Sequence, residues 1–212
     1  ETNRTIAQLN VNLSPWKGFS FAGTVGLDNF AQAGYSYQAR IPYPNVPLSF
    51  FPDGYVSVSK QHYQQWTTDL TASYSTLLGT DFSSATVAGF SGQYIRNSFQ
   101  AQQGRDLLSF GTTIQSAQNI FALPIDRRSE QVIYGYFLQE TLGYKDYLFL
   151  TLAGRVDYSS AFGAEAGTIF YPKAGLSLGL SEMDFWKESN LNSWLNALHL
   201  RASFGKAGNL TG

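Results

Sequence analysis

Apolar and polar residues alternate one by one along much of this chain. From Thr5 to Leu13 one phase carries Thr5, Ala7, Leu9, Val11 and Leu13, and the other carries Ile6, Gln8, Asn10 and Asn12. After the turn Ser14-Pro15-Trp16-Lys17-Gly18 the pattern resumes, with Phe19, Phe21, Gly23, Val25 and Leu27 against Ser20, Ala22, Thr24, Gly26 and Asp28. Successive side chains of a strand point to opposite faces, so a period of two marks a strand with one greasy and one polar side. Read in this way, the chain predicts eight antiparallel strands in meander order, near residues 3–13, 19–28, 66–76, 84–95, 131–144, 147–157, 169–181 and 196–205. The facing of the strand near 84–95 stays open. Residues 29–65, with Pro42, Pro44, Pro47 and Pro52, and residues 96–129, rich in Gln, Ser and Gly, have no period and read as long loops. Lys145-Asp146 reads as a tight turn, 158–168 as a medium loop, and 182–195 as room for a short helix.

The last strands show the two faces best. Leu148, Leu150, Leu152, Leu176, Leu178, Leu198 and Leu200 fall in one phase, and Arg155, Lys173 and Arg201 in the other. Tyr134, Tyr136 and Leu138 keep the greasy phase, which Glu140 interrupts. Short and long connections alternate, and a strand of about ten residues tilted by about 40° rises roughly 25 Å, the height of a membrane's apolar band. Aromatic residues gather near the expected strand ends: Phe19, Tyr74, Tyr144 and Tyr147 by the short turns, Trp66 and Tyr94 by the loops. The polar phase is small and mostly uncharged (Gln8, Asn10, Ser20, Thr24, Thr71, Ser177), where a soluble sandwich would show Lys and Glu. These features predict an all-β fold: an antiparallel up-and-down transmembrane β-barrel whose greasy face meets lipid. Side chains this small cannot fill an eight-stranded cylinder. The expectation is therefore an open wall belonging to a larger barrel, its first and last strands not paired with each other. The alternative is a complete eight-stranded barrel acting as an anchor or adhesin.

Composition narrows the chemistry. The 212 residues carry a net charge of −1, only 14% charged and as much as 16% aromatic residues, and no cysteine. No basic surplus exists for nucleic acid, and disulfides, thiolate metal sites and cysteine nucleophiles are excluded. The only histidines, His62 and His199, have no carboxylate cluster beside them in sequence, so neither a metal site nor a cofactor is expected. The longest apolar run, Tyr147 to Gly154, falls short of the roughly 18 residues of a spanning helix. Gly175-Leu176-Ser177-Leu178-Gly179 matches the G-x-S-x-G nucleophile elbow literally, but that elbow needs a strand turning sharply into a helix. Here it lies inside an alternating strand, so Ser177 reads as a small residue on the polar face and no catalytic residue is expected; an outer-membrane serine hydrolase is the least favoured alternative. The first long loop gathers Tyr35, Tyr37, Tyr43, Phe50, Phe51 and Tyr55. Such aromatics either stack on sugar rings or peptide side chains of a substrate, or pack the loop on itself.

Three motifs then align in order. Thr151-Leu-Ala-Gly-Arg-Val-Asp157-Tyr-Ser-Ser-Ala-Phe-Gly163, Phe170-Tyr-Pro172-Lys-Ala-Gly-Leu-Ser-Leu-Gly-Leu-Ser-Glu182 followed by Phe185-Trp186, and Leu198-His-Leu-Arg201-Ala-Ser203-Phe-Gly205-Lys-Ala-Gly208-Asn209 resemble segments of the SusC/RagA-type TonB-dependent outer-membrane transporters. Pro15-Trp-Lys17-Gly18-Phe-Ser-Phe resembles an earlier turn of the same family. The chain departs from the family pattern at Tyr158, Lys173 and Leu178. The resemblance implies that residues 1–212 are a segment of a larger, about 22-stranded barrel, with the plug domain absent from this chain. It further implies the outer membrane of a Gram-negative, Bacteroidetes-type bacterium, and active import of oligosaccharides or peptides. The implied partners are a SusD-like surface lipoprotein, TonB acting through a plug segment, and outer-membrane lipid. No bond is made or broken, so the family is not one of enzymes.

Overall fold

The computed structural model describes residues 1–41, 51–108, 111–162, 168–189 and 194–208. Eight strands follow one another: β1 (Thr2–Leu13), β2 (Phe19–Gln38), β3 (Tyr55–Leu78), β4 (Phe82–Leu107), β5 (Ala117–Tyr144), β6 (Leu148–Ser159), β7 (Thr168–Gly179) and β8 (His199–Gly205). They form one sheet in the order β1-β2-β3-β4-β5-β6-β7-β8, the predicted meander. The pairings from β5 to β8 are antiparallel. β1 and β8 stand at opposite ends of the order, so the sheet is not closed and the complete eight-stranded barrel is set aside.

Four strands are far longer than alternation predicts. The segments read as loops, 29–65 and 96–129, are largely strand: β2 runs on to Gln38, β3 starts at Tyr55, β4 reaches Leu107 and β5 starts at Ala117. The reason lies in their composition. Around residues 57–64 of β3 one phase is Ser57, Ser59, Gln61 and Tyr63 and the other Val58, Lys60, His62 and Gln64, so both sides are mostly polar and no period survives. Trp66 and Tyr94, placed near loops by the sequence, consequently lie well inside β3 and β4. Among the described residues of 182–195 lies one short α-helix, α1 (Asp184–Lys187), and β8 begins at His199, so Leu198 falls outside it; its carbonyl accepts from Leu180 N at 2.9 Å.

The chain packs as two compact units. The second comprises Gln8–Gly26, Thr67–Gln93 and Gln131–Gly212. Its register settles the two faces. Leu148 pairs with Leu178, Leu150 with Leu176 and Leu152 with Ala174, while Arg155 pairs with Tyr171 and Ser177 with Arg201. Residues paired across strands share a side of the sheet, so the leucines lie on one side and Arg155, Lys173 and Arg201 on the other, as alternation predicts. The greasy side is open: Leu152, Phe170 and Leu200 are each at least half exposed. β4 now takes its place. Phe90 packs on Tyr136 at 5.0 Å and Ser84 bonds to Glu140, so its even positions share the greasy side.

Three tight turns close the short ends of this unit. At the first, Gly18 has φ of +84°, and a Cβ there would sit 2.3 Å from the Ser75 carbonyl oxygen, so only glycine fits. Lys145 and Asp146 both have positive φ (46° and 57°), which is the type I′ geometry that matches strand twist in a two-residue hairpin. Lys145 N donates to Asp81 O at 2.8 Å, tying this turn to the β3–β4 turn. The Lys145 ammonium beside the Tyr144 hydroxyl and the Asp81 carboxylate holds its proton to higher pH than an isolated lysine. Aromatics mark these ends, with Trp16 stacked on Phe19 at 4.6 Å and Phe82 on Tyr144 at 4.8 Å. On the polar side, Arg155 grips Asp157 (Nε to Oδ2, 2.8 Å) and donates to Ser91 at 2.8 Å.

The first unit comprises Glu1–Ala7, Leu27–Trp66 and Tyr94–Glu130. Val56 and Leu107 are its buried hydrophobic side chains among the described residues. Polar pairings hold the rest. Arg4 clasps Asp28 with both Nε and Nη2, at 2.9 and 2.6 Å, and His62 Nε2 lies 2.8 Å from Asn29 Oδ1.

Candidate functional site

Phe51-Pro52-Asp53-Gly54 is a sequence that dictates its own turn. Proline fixes the second position, aspartate suits the third, and Gly54 takes φ of +79° at the fourth. Gly54 N closes the turn on Phe51 O at 3.0 Å. Neighbouring strand ends then use the turn's carbonyl groups. Gln38 Nε2 donates to Phe51 O at 3.2 Å, Ile41 N to Pro52 O at 2.9 Å, Leu107 N to Asp53 O at 2.9 Å and Asp106 N to Gly54 O at 3.2 Å. The turn is thereby pinned between the end of β2 and the end of β4. Its side chains project from a fixed backbone, as a preorganised contact surface requires.

Around this turn lies a cavity of about 440 Å³ lined by Phe51, Pro52, Asp53 and Gly54 from the turn, Arg105 and Asp106 from β4, and Asn119 and Ile120 from β5. The Arg105 guanidinium sits over the Phe51 ring, 4.3 Å from its centroid. Tyr55 packs against Phe51 at 4.9 Å. Arg40 pairs with Asp53 at 3.0 Å, and both side chains are about half exposed (53% and 49%). Asn119 Nδ2 donates to Asp106 Oδ2. The arrangement offers both signs of charge, two carboxylates and an amide along a short arc, with an apolar patch at Ile120. Among the described residues no nucleophile lies beside a base at this cavity.

The structure divides the aromatic set that the sequence brings together. Tyr35 and Tyr37 belong to β2 rather than to a loop, in its odd phase, with rings stacked at 6.5 Å and the Tyr35 hydroxyl donating to Thr112 O at 2.7 Å. Tyr55, at the start of β3, bonds instead to Ser36 in the even phase of β2, at 2.7 Å. Phe51 and Tyr55 therefore meet each other and not Tyr35 or Tyr37. Tyr43 and Phe50 lie outside the described residues. One face of the Phe51 ring is taken by Arg105. Sequence reasoning missed Arg40, Asp53, Arg105, Asp106 and Asn119. The Pro-Asp-Gly turn was a usable local signal for Asp53; nothing local marks the others, of which Arg40 follows β2 and Arg105, Asp106 and Asn119 arrive from β4 and β5.

Ser177 sits inside β7, paired across to Phe149 and Arg201, and β7 runs straight through the motif to Gly179. His199 pairs with Gly179. No hydrogen bond joins Ser177 to His199 among the described residues. The strand-to-helix elbow that would activate a serine is not formed at this motif.

Known proteins place this architecture. The family model described as TonB dependent receptor-like, beta-barrel, matches residues 1–211. The chain is 28% identical over 213 residues to TonB-dependent receptor P26 of Formosa agariphila, covering 98% of this chain and 21% of that protein. Its fold is similar to a chain of the RagAB peptide transporter, with a TM-score of 0.76 at 18% identity over 96% of this chain and 23% of the other. It is also similar to the RagAB peptide importer in its open-open state, with a TM-score of 0.73 at 20% identity over 97% of this chain and 22% of the other. The chain thus spans about a fifth of the length of the curated relative and of these structures. A match over nearly every residue, joined to an unclosed meander with one greasy and one polar face, means that this chain belongs to the TonB-dependent receptor β-barrel family.

Proposed function

We propose that this chain forms part of the barrel wall of an active importer in the outer membrane of a Gram-negative bacterium. The observation that carries the reading is the two-faced sheet of a family built for receptor barrels: leucines in one phase, small polar residues and paired charges in the other. The greasy phase meets lipid and the polar phase lines the passage. Residues 1–212 act as a barrel segment, and in the complete receptor TonB supplies the pull through a plug segment that is not part of this wall. A SusD-like surface lipoprotein covers the long-connection ends. The likeness to the RagAB structures supports that partner and a large nutrient, oligosaccharide or peptide, as cargo.

The cavity beside Phe51 is the cargo-contact point. Arg40, Asp53, Asp106 and Asn119 touch the polymer, while Phe51 and Tyr55 shape the wall behind them. The test is uptake of a fluorescent oligopeptide or oligosaccharide too large for porins, by cells carrying or lacking the complete receptor. Uptake that needs the receptor and stops when a protonophore collapses the inner-membrane gradient is the expected result. Uptake that persists under the protonophore makes the barrel a passive channel and refutes active import.

A further inference from the structure

The structure assigns a second site to the greasy side of β4–β7: we propose that it binds an amine-bearing phospholipid, the headgroup ammonium on Glu140 and an acyl chain in the depression beside it. The inference rests on the membrane placement proposed above. Glu140 pairs across to Leu152, between Leu138 and Leu142 of its own phase. Every other residue of that phase in the registered pairs of β5 to β8 is uncharged. β4 is built to receive this carboxylate. Ser84 Oγ donates to Glu140 Oε1 at 2.6 Å and Thr86 Oγ1 donates to Oε2. Its described partners are those two hydroxyls, and no cation pairs with it among the described residues. Two neutral donors satisfy lone pairs but leave the charge, and an uncompensated charge facing hydrocarbon is costly.

Next to Glu140 the greasy side is hollowed into a depression of about 730 Å³. Gly154, Pro172 and Ala174 leave it open where leucine or phenylalanine would fill it, and Leu152, Phe170 and Phe204 stand around it. The Phe170 ring lies over Gly154 so closely that a Cβ there would sit 2.9 Å from it. Lys173 also borders the depression but belongs by register to the polar phase, so the greasy phase offers an apolar trough with one fixed anion at its margin, complementary to an amphiphile with a cationic head. In a bilayer the cation at hand is the ammonium of an ethanolamine headgroup, and a charge-assisted hydrogen bond forms on the carboxylate. Glu140 lies four residues from Tyr144, about 10 Å into the apolar band at 3.3 Å per residue and 40° tilt. The headgroup reaches it by local thinning of the leaflet, the response bilayers show to embedded charge.

The test uses the complete receptor, extracted in mild detergent, stripped of lipid and offered phosphatidylethanolamine or phosphatidylglycerol of identical chains, with retained lipid counted by native mass spectrometry. The expected result is retention of the ethanolamine lipid over the glycerol lipid. Glu140→Gln, which keeps an acceptor for Ser84 and Thr86, erases the preference; Ala174→Leu lowers retention of both lipids while the preference stays. Equal retention of the two lipids by the native receptor, or an unchanged preference in Glu140→Gln, overturns the proposal. Heat-modifiable migration on gels confirms that each variant is folded. A receptor that stays soluble without detergent would instead sink the membrane placement, a separate outcome from a membrane receptor that shows no lipid preference.

Discussion

The two compact units build strands by different rules. In the second unit one side of the sheet carries Leu148, Leu150, Leu152 and Leu176, and the other Thr151, Arg155, Lys173 and Ser177. In the first unit both sides are mostly polar, and order comes from side-chain pairs such as Arg4–Asp28 and His62–Asn29 and from a pinned turn. The contrast teaches what alternation reports. It reports a difference of solvent between two faces, greasy on one and wet on the other, and not the strand itself. Where both faces meet water, the strand continues without a signature.

The sharpest way to break this comparison is to put the same charge on each unit. Leu150→Arg in the greasy phase of the second unit should cost about 2–4 kcal/mol if it lies near the bilayer midplane. Ala33→Arg in the odd phase of β2, in the first unit, should change stability by no more than about 0.5 kcal/mol. Urea unfolding of the complete receptor in lipid vesicles measures both, and equal costs would mean that the two units share one solvent environment.

Ion pairs give the next contrast. Asp157 is 6% exposed in its pair with Arg155, whereas Asp28 is 27% exposed beside Arg4. Asp157→Asn strips charge from a nearly buried acceptor and should cost about 1–3 kcal/mol. Asp28→Asn, in a solvated pair, should leave the unfolding midpoint unmoved. Parallel denaturation curves decide it; a larger loss at Asp28 would make the first unit the more tightly specified of the two.

The same logic explains what was legible. The pairing of Leu150 with Leu176 and the placement of Arg155 and Lys173 follow from counting by two, because there the faces differ. The facing of β4 escaped because Ser84 and Thr86 put polar groups on the greasy side, and they do so to meet Glu140, the one blemish in the β5 pattern. Residues 57–65 escaped because both phases are mostly polar, whereas in 31–38 the alternation of Ala31, Ala33, Tyr35 and Tyr37 with Gln32, Gly34, Ser36 and Gln38 is present but carries no leucine, isoleucine or valine. The candidate site was half visible. Phe51 and Tyr55 stood out as aromatics, and Pro52-Asp53-Gly54 spells its turn, but Arg105, Asp106 and Asn119 reach the cavity through β4 and β5 pairing, which no local pattern encodes.

Turn glycines set a smaller difference. Gly54 and Gly79 have nearly the same φ, +79° and +80°. A Cβ at Gly54 would meet Gln38 O at 2.9 Å and Arg40 N at 3.0 Å, while at Gly79 nothing lies within 4 Å. Gly79→Ala should therefore cost only the left-handed backbone penalty, about 1 kcal/mol. Gly54→Ala adds crowding and should cost about 1–2 kcal/mol, and it should also lower cargo affinity by shifting the turn. If Gly79→Ala proves the costlier, the pinned turn is softer than its hydrogen bonds imply.

The smallest effect on stability should carry the largest information about cargo. Arg40 and Asp53 form a half-exposed pair at the cavity rim, so Asp53→Asn should leave the unfolding curve unchanged. Its effect should appear in binding. If the rim charges touch the cargo, affinity falls several-fold in Asp53→Asn, and the native receptor binds less tightly as salt screens the contact. Tyr37→Leu serves as the counterpart, because Tyr37 stacks on Tyr35 in the other phase of β2, away from the Phe51 cluster. If the rim charges make the contact, that variant binds cargo as the native receptor does. If cargo instead stacks on the aromatics, the order reverses: Tyr37→Leu loses affinity, Asp53→Asn keeps it, and salt has little influence. Measuring both variants by calorimetry with a charged oligopeptide and a neutral oligosaccharide separates the two. The charged rim becomes the contact surface only if the first pattern is found.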